Sequence, residues 1–156
     1  ISSRDAGRRA RLKDFGADMA LDPGDPAWPE AVLEATGGGV DLIVDQVSGG
    51  VANDNMKAAR ILGRIVNVGR LGGFTGEFDY DLHALKRIQY TGVTFRTRSL
   101  EEVREINRKM RADLWPAVAA GILSLPIDRV FPLAEAAAAQ AHMRANAHLG
   151  KIVLKL

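Results

Sequence analysis

The stretch GVDLIVDQVSGG, residues 39–50, decides the fold. Its first half, Val40-Asp41-Leu42-Ile43-Val44, is a short run rich in β-branched residues. Its second half is a polar turn with two glycines. A run of this kind reads as a strand covered on both faces, as in a parallel sheet. Working outward, strand and helix patterns alternate in both directions. Upstream, residues 27–36 predict a helix with Trp28, Val32 and Leu33 on one face, ended by Gly37-Gly38-Gly39. Pro23, Gly24 and Pro26 break the chain before it. They bound a short predicted strand at 18–21 and a helix at 4–15, closed by Gly16 in the place that favours a left-handed residue. Downstream come a helix at 51–62 and a buried strand at 64–68. A stretch at 69–76 with four glycines follows, then a short helix around 81–86 and a strand at 87–95. Ser99 and Glu102 have the spacing of a capping box. They open a helix with Val103, Ile106 and Met110 on one side, and a further helix around 113–120 stops at Gly121. A strand at 127–131, an alanine-rich helix at 134–145 and a strand at 151–156 complete the pattern. This alternation predicts an α/β fold with a mainly parallel sheet. Ligands in such sheets sit beyond the carboxyl ends of the strands, so the loops after strands are the places to search.

Composition narrows the chemistry. With 156 residues, 47% of them hydrophobic and 26% charged, the chain has the size and balance of one globular domain. No apolar run approaches the roughly 18 residues of a membrane span. Ile1 is followed at once by polar and basic residues, so no signal peptide is expected. There are no cysteines, which excludes disulfides, thiolate zinc sites and cysteine nucleophiles and fits a reducing, cytoplasmic setting. A net charge of +2 is too small to suggest a nucleic-acid partner. Arg4, Arg8, Arg9, Arg11 and Lys13 nevertheless crowd the first helix against Asp5 and Asp14. A solvated helix face accounts for most of them; a phosphate partner for one or two is the sharper alternative.

Three loops follow predicted strands. Ser2-Ser3-Arg4 offers hydroxyls and a guanidinium at a helix start, either a phosphate site or an N-cap serine beside a surface arginine. In a dinucleotide fold, serine and arginine here in place of an acid favour the 2′-phosphate of NADP. Asp45-Gln46-Val47-Ser48-Gly49-Gly50 lets a ligand approach the backbone or serves as an ordinary turn, with Asp45 orienting it. Gly69-Arg70-Leu71-Gly72-Gly73 is a mobile flap over a cofactor or an exposed loop, with Asn67 and Arg70 as its polar groups. At the end of the next strand, Phe95 packs in the core or lines a nicotinamide pocket. Other chemistry lacks support. His83, His142 and His148 have no metal-ligand spacing and no HExxH is present. There is no GxSxG elbow. Glu101-Glu102 opens a helix, where acids favour the dipole. No metal ligand and no catalytic side chain is assigned.

Four segments in order, GVDLIVDQVSGG, GRIVNVGRLGG, LKRIQYTGVTFRTRS and IDRVFPLAEAAAAQAHMRANAHLGKIVLKL, resemble the C-terminal part of quinone oxidoreductases. These form the zinc-independent, zeta-crystallin-like branch of the medium-chain dehydrogenase/reductase superfamily. The turn at Gly16-Ala17-Asp18 resembles the same family, and the likeness covers essentially the whole chain. It implies an incomplete Rossmann-like doubly wound parallel sheet, without the first strand and glycine-rich loop, over residues 1–126. A C-terminal segment, residues 127–156, would return to a GroES-like catalytic domain outside this chain. The implied activity is NADPH-dependent hydride transfer to a quinone or other electron-poor alkene by a longer chain, with the 156 residues inactive alone. By motif, Ser2, Ser3 and Arg4 would hold the 2′-phosphate with help from Arg8. Gln46, Val47 and Ser48 would pass near the adenosine. Val68, Gly69, Arg70 and Leu71, with Val93, Thr94 and Phe95, would approach the nicotinamide, and Gly150-Lys151 would close the site from the tail. Strand 87–95 would be the outer edge that pairs with its copy in a homodimer. Pro23 departs from the family, where an aromatic packs on the adenine. Without the first strand of the order 3-2-1-4-5-6, the strand at 18–21 is expected to stand apart from those at 40–44 and 64–68, leaving edge groups unpaired. A zinc alcohol dehydrogenase, an enoyl reductase and a non-catalytic dimerisation or binding module are the alternatives.

Overall fold

In the computed structural model, which describes residues 1–156, three parallel strands carry the first unit, Ile1–Thr97. They are β1 (Val40–Asp45), β2 (Ala59–Asn67) and β3 (Gln89–Gly92), paired in the order β1-β2-β3. Helices α1 (Ala6–Leu12) and α2 (Trp28–Thr36) precede the sheet. Helices α3 (Ala52–Ala58) and α4 (Tyr80–Lys86) form the two crossovers. This is the α/β, Rossmann-like arrangement that the alternating pattern predicts.

The register explains the core. Ile43, Ile65 and Tyr90 lie in one row across the sheet, and Asp45, Asn67 and Gly92 lie in the row two residues further on. Side chains alternate along a strand, so both rows face the same side. On that side Met56, Ala59, Ile65 and Ile88 are buried, with Ile43, Phe78, Leu82 and Tyr90 packed against them. Burying an aliphatic side chain such as Met56 or Ile65 stabilises the fold by about 1.5–3 kcal/mol. Lys86, at the end of α4, donates from Nζ to the carbonyls of Met56, Lys57 and Ala59 at 3.0, 2.5 and 2.8 Å. It satisfies carbonyls that the end of α3 leaves open, and burial pushes its pKa down.

The second unit, Arg98–Leu156, contains α5 (Leu100–Asp113), α6 (Trp115–Ala119), β4 (Ile127–Pro132), α7 (Ala136–Arg144) and β5 (Lys151–Lys155). The capping box opens α5 as predicted: Ser99 Oγ accepts from the Glu102 N–H, and the Glu102 carboxylate accepts from the Ser99 N–H. β4 and β5 pair in parallel around α7. The Asp128 carboxylate fastens this unit, accepting from the Leu149 N–H at 3.0 Å and meeting His142 Nε2 at 2.8 Å.

Several expectations need correction. No strand runs through 18–21; Leu21 alone pairs with Ser2, in a single parallel bridge. The Asp22–Gly24 turn ends that pairing, where Asp22 accepts from the Gly24 N–H. No backbone hydrogen bond joins residues 1–27 to the sheet, so this pair stands apart from β1 as the strand order predicts. The helix expected over 51–62 stops at Ala58, because Ala59 turns extended and its strand pairs with β1. The strand expected over 87–95 is shorter. Arg87 is a left-handed cap on α4, and Thr94 Oγ1 accepts from the Arg96 N–H in a turn. β1 is not covered on both faces within its unit, since Leu42 and Val44 remain 47% and 57% exposed.

Candidate functional site

The carboxyl ends of the three strands form one rim: Asp45 pairs with Asn67, and Asn67 with Gly92. The chain turns sharply beyond each. After β1, Asp45 Oδ1 accepts from the N–H groups of Val47 and Ser48 at 2.8 and 2.9 Å. This is the orienting role expected of Asp45 from the sequence. After β2, the 68–73 loop is tied to the 45–48 turn. Val68 and Gly69 donate to the Asp45 carbonyl, Leu71 to Gln46 at 3.2 Å and Gly72 to Val47 at 2.7 Å, and Ser48 bridges to Gly73. Ser48 Oγ donates to the Gly69 carbonyl at 2.7 Å, and the Asn67 amide donates to Ser48 Oγ. A Cβ on Gly69 would lie 2.5 Å from the Gln46 oxygen, and one on Gly72 would lie 2.8 Å from Val47 Cγ1. Of the two readings of this glycine-rich stretch, the flap gives way to a loop stitched to its neighbour, with the glycines allowing the close approach.

Between this ladder and β3 lies an open groove of about 240 Å³. Ser48, Asn67, Arg70, Phe74, Phe78 and Tyr90 contribute to its walls. The Phe78 ring stands 5.7 Å from that of Tyr90, edge to face. Burial pushes the Tyr90 phenol above its ordinary pKa, and the nearby Asp45 carboxylate adds to the rise. Asp45 Oδ2 is itself buried without a hydrogen-bond partner.

Gln46, Val47, Ser48, Val68, Gly69, Arg70 and Leu71 therefore meet in one ladder. Val93 joins it by donating to the Asn67 carbonyl at 3.1 Å. Phe95 is 66% exposed, so of its two readings the core is excluded, and Thr94 Oγ1 accepts a hydrogen bond in its local turn. Ser2, Ser3, Arg4 and Arg8 form a separate group. Asp5 caps α1 by accepting from the Arg8 N–H at 2.7 Å, so the acid occupies the helix start that was read as free for a phosphate. Arg9 holds the loop from below: its guanidinium donates to the Ser3 and Arg4 carbonyls and pairs with Asp22 at 2.9 Å. Arg4 is exposed and makes no ion pair with the chain. The serine-and-arginine loop thus presents a cation while its neighbouring acids are engaged, which suits a phosphate-bearing dinucleotide.

Sequence reasoning missed Tyr90, Phe74, Phe78 and Arg9. Tyr90 was detectable, because strand parity puts it on the face of Ile65. Arg9 was not, because five neighbouring cations look alike in sequence. The donor set does not fit a zinc ion. No cysteine is present, and no three histidines or carboxylates converge.

The sequence profile described as zinc-binding dehydrogenase matches residues 15–154. A mycocerosic acid synthase-like polyketide synthase of Mycobacterium tuberculosis is 26% identical over 94% of this chain and 7% of its own length. A 2-haloacrylate reductase of a Burkholderia species is 27% identical over 99% of this chain and 46% of its own length. The native structure of a mycobacterial quinone oxidoreductase superposes with a TM-score of 0.78 at 25% identity, over 99% of this chain and 48% of that one. The chain spans less than half the length of each of these proteins. With the match running from residue 15 to residue 154 over a parallel sheet of Rossmann type, the chain belongs to the zinc-binding dehydrogenase family, as a C-terminal part of the medium-chain dehydrogenase/reductase fold.

Proposed function

We propose that these residues are the C-terminal, cofactor-facing part of a longer NADPH-dependent reductase that passes hydride to a quinone or another electron-poor alkene without zinc. One observation carries this reading: three strand tips end in register beneath two loops fastened to each other, the kind of rim where doubly wound sheets hold a dinucleotide. Residues 1–126 would be the dinucleotide-binding portion and 127–156 the segment that contacts a GroES-like domain. Ser2, Ser3 and Arg4, with Arg8, would hold the 2′-phosphate. Gln46, Val47 and Ser48 would flank the adenosine, and Val68–Leu71 with Val93–Phe95 the nicotinamide end. When bound, the reduced nicotinamide supplies the hydride. The chain's own groups orient the ligands and exclude water, since the neutral donors Ser48 and Asn67 are already spent on the rim. The resemblance to zinc-independent reductases and the 2-haloacrylate reductase relative support a reduction over alcohol oxidation. The edge of β3 would form a homodimer, and the protein would work in the cytoplasm.

The test uses the intact enzyme. It is expected to oxidise NADPH with a quinone or enone acceptor, and Arg4→Ala is expected to weaken NADPH by about 10-fold or more while weakening NADH far less, the loss of one charge-assisted phosphate contact. Dissociation constants for both cofactors read the outcome. Equal losses would remove Arg4 from the 2′-phosphate. Zinc-dependent alcohol oxidation with no alkene or quinone turnover would overturn the reductase reading.

A further inference from the structure

We propose that the groove beside the rim takes a small carboxylate-bearing alkene, and that Arg70 is the residue that selects its acid group. The proposal rests on the reductase reading and adds a substrate class to it.

The argument begins with which donors remain. The Ser48 hydroxyl donates to the Gly69 carbonyl, and the Asn67 amide donates to Ser48 and, at 3.4 Å, to the Gly69 carbonyl, so both side chains are turned to the rim. The backbone N–H groups of Leu71 and Gly72 are engaged with the 46–47 turn. Arg70 lines the same groove, is half-buried, and forms no ion pair or side-chain hydrogen bond with the chain. A half-buried guanidinium without a partner, walled by Phe74, Phe78 and Tyr90, is matched by a planar oxyanion that can accept two parallel N–H bonds. The half-buried Phe78 and Tyr90 shield one side of that pairing from water and strengthen it. Size restricts the ligand further. The groove of about 240 Å³ is large enough for a short acid beside Arg70. Two carboxylates oppose the site: the buried one of Asp45 beside Tyr90, and that of Glu77, which is exposed on the same wall and makes no ion pair with Arg70. Removing the Glu77 charge is therefore expected to favour an anion.

The experiment compares crotonate with methyl crotonate, the same alkene with and without the acid, in the intact enzyme and in Arg70→Met, Arg70→Lys and Glu77→Gln. The ratio of kcat/KM for acid over ester is expected to fall about 100-fold in Arg70→Met, to recover in part in Arg70→Lys, and to rise a few-fold in Glu77→Gln. An unchanged ratio in Arg70→Met overturns the proposal. Calorimetric titration with butyrate, the saturated acid, reads the site without turnover. Binding to the intact enzyme that weakens at least 10-fold in Arg70→Met supports the site, and equal binding overturns it. NADPH and NADH titrations separate the other source of an oxyanion: a loss confined to the dinucleotides assigns Arg70 to a cofactor phosphate and overturns the substrate role. The reductase reading stands or falls separately, on NADPH oxidation with a quinone or enone acceptor, while the butyrate titration decides the anion site even in an enzyme that reduces neither crotonate nor its ester.

Discussion

Gly69 sits where the loop after β2 crosses the turn after β1, and its missing side chain is what lets them touch. Its N–H bonds to the Asp45 carbonyl and its own carbonyl accepts from Ser48, so it cannot move aside without breaking both. A methyl group there would press on the Gln46 carbonyl at 2.5 Å. Gly69→Ala is expected to destabilise the protein by about 1–3 kcal/mol, the usual cost of overpacking, as read by urea titration. Cofactor affinity should fall with it, because the ladder carries the candidate site. Residue roles were legible where one side chain had one local job. Asp45, at a strand end before a small-residue turn, was read as orienting that turn, and its carboxylate does so. Arg9 was not legible, because its partners Ser3, Arg4 and Asp22 are brought to it by a turn no spacing rule describes.

Among the elements, the β4–α7–β5 group depends on a carboxylate. The hydrogen bond from His142, then that from the Leu149 N–H, holds the Asp128 carboxyl below its ordinary range. A carboxylate depressed in this way adds stability above its ordinary pKa near 4 and loses it as the pH falls through the lower, folded value. The thermal midpoint is therefore expected to drop between pH 5 and acid, by a pH-dependence that Asp128→Asn removes in part; identical pH profiles would count against the clasp. The long, well-bounded elements were readable from periodicity: α2, β1, the capped α5 and α7 lie within a residue or two of where the sequence puts them. The misread boundaries share one cause, long-range pairing. Residues 59–62 carry a helical pattern but are claimed by β1, and residues 18–20 carry a strand pattern but gain only the bond from the Ile1 amino group to the Met19 carbonyl beside the Leu21–Ser2 bridge. Local preference is a weak guide where a neighbour in space decides.

For the whole molecule, the sheet has a free edge at β3. Val93 donates its N–H inward to Asn67, so alternation turns the N–H of Gly92 toward the open side. If the intact enzyme dimerises through this edge, Gly92→Pro removes an outward donor while leaving the β2 pairing in place. Light scattering is expected to show a dimer for the parent and a monomer for the variant; a dimer in both would move the interface elsewhere. The fold class and the loops after the strands were legible from the alternation along the chain; that the two glycine-rich loops are tied to each other was not, since long-range backbone bonds decide it. The groove was not, since its aromatic wall comes from residues 74–78, far from any strand end in sequence. The stitching of residues 68–73 onto 45–48 has a thermodynamic corollary. A rim already immobilised during folding has little conformational entropy left to surrender when a guest arrives. A guest held there would meet a pre-organised host, and its affinity would reflect fit, with little diverted to ordering the loops.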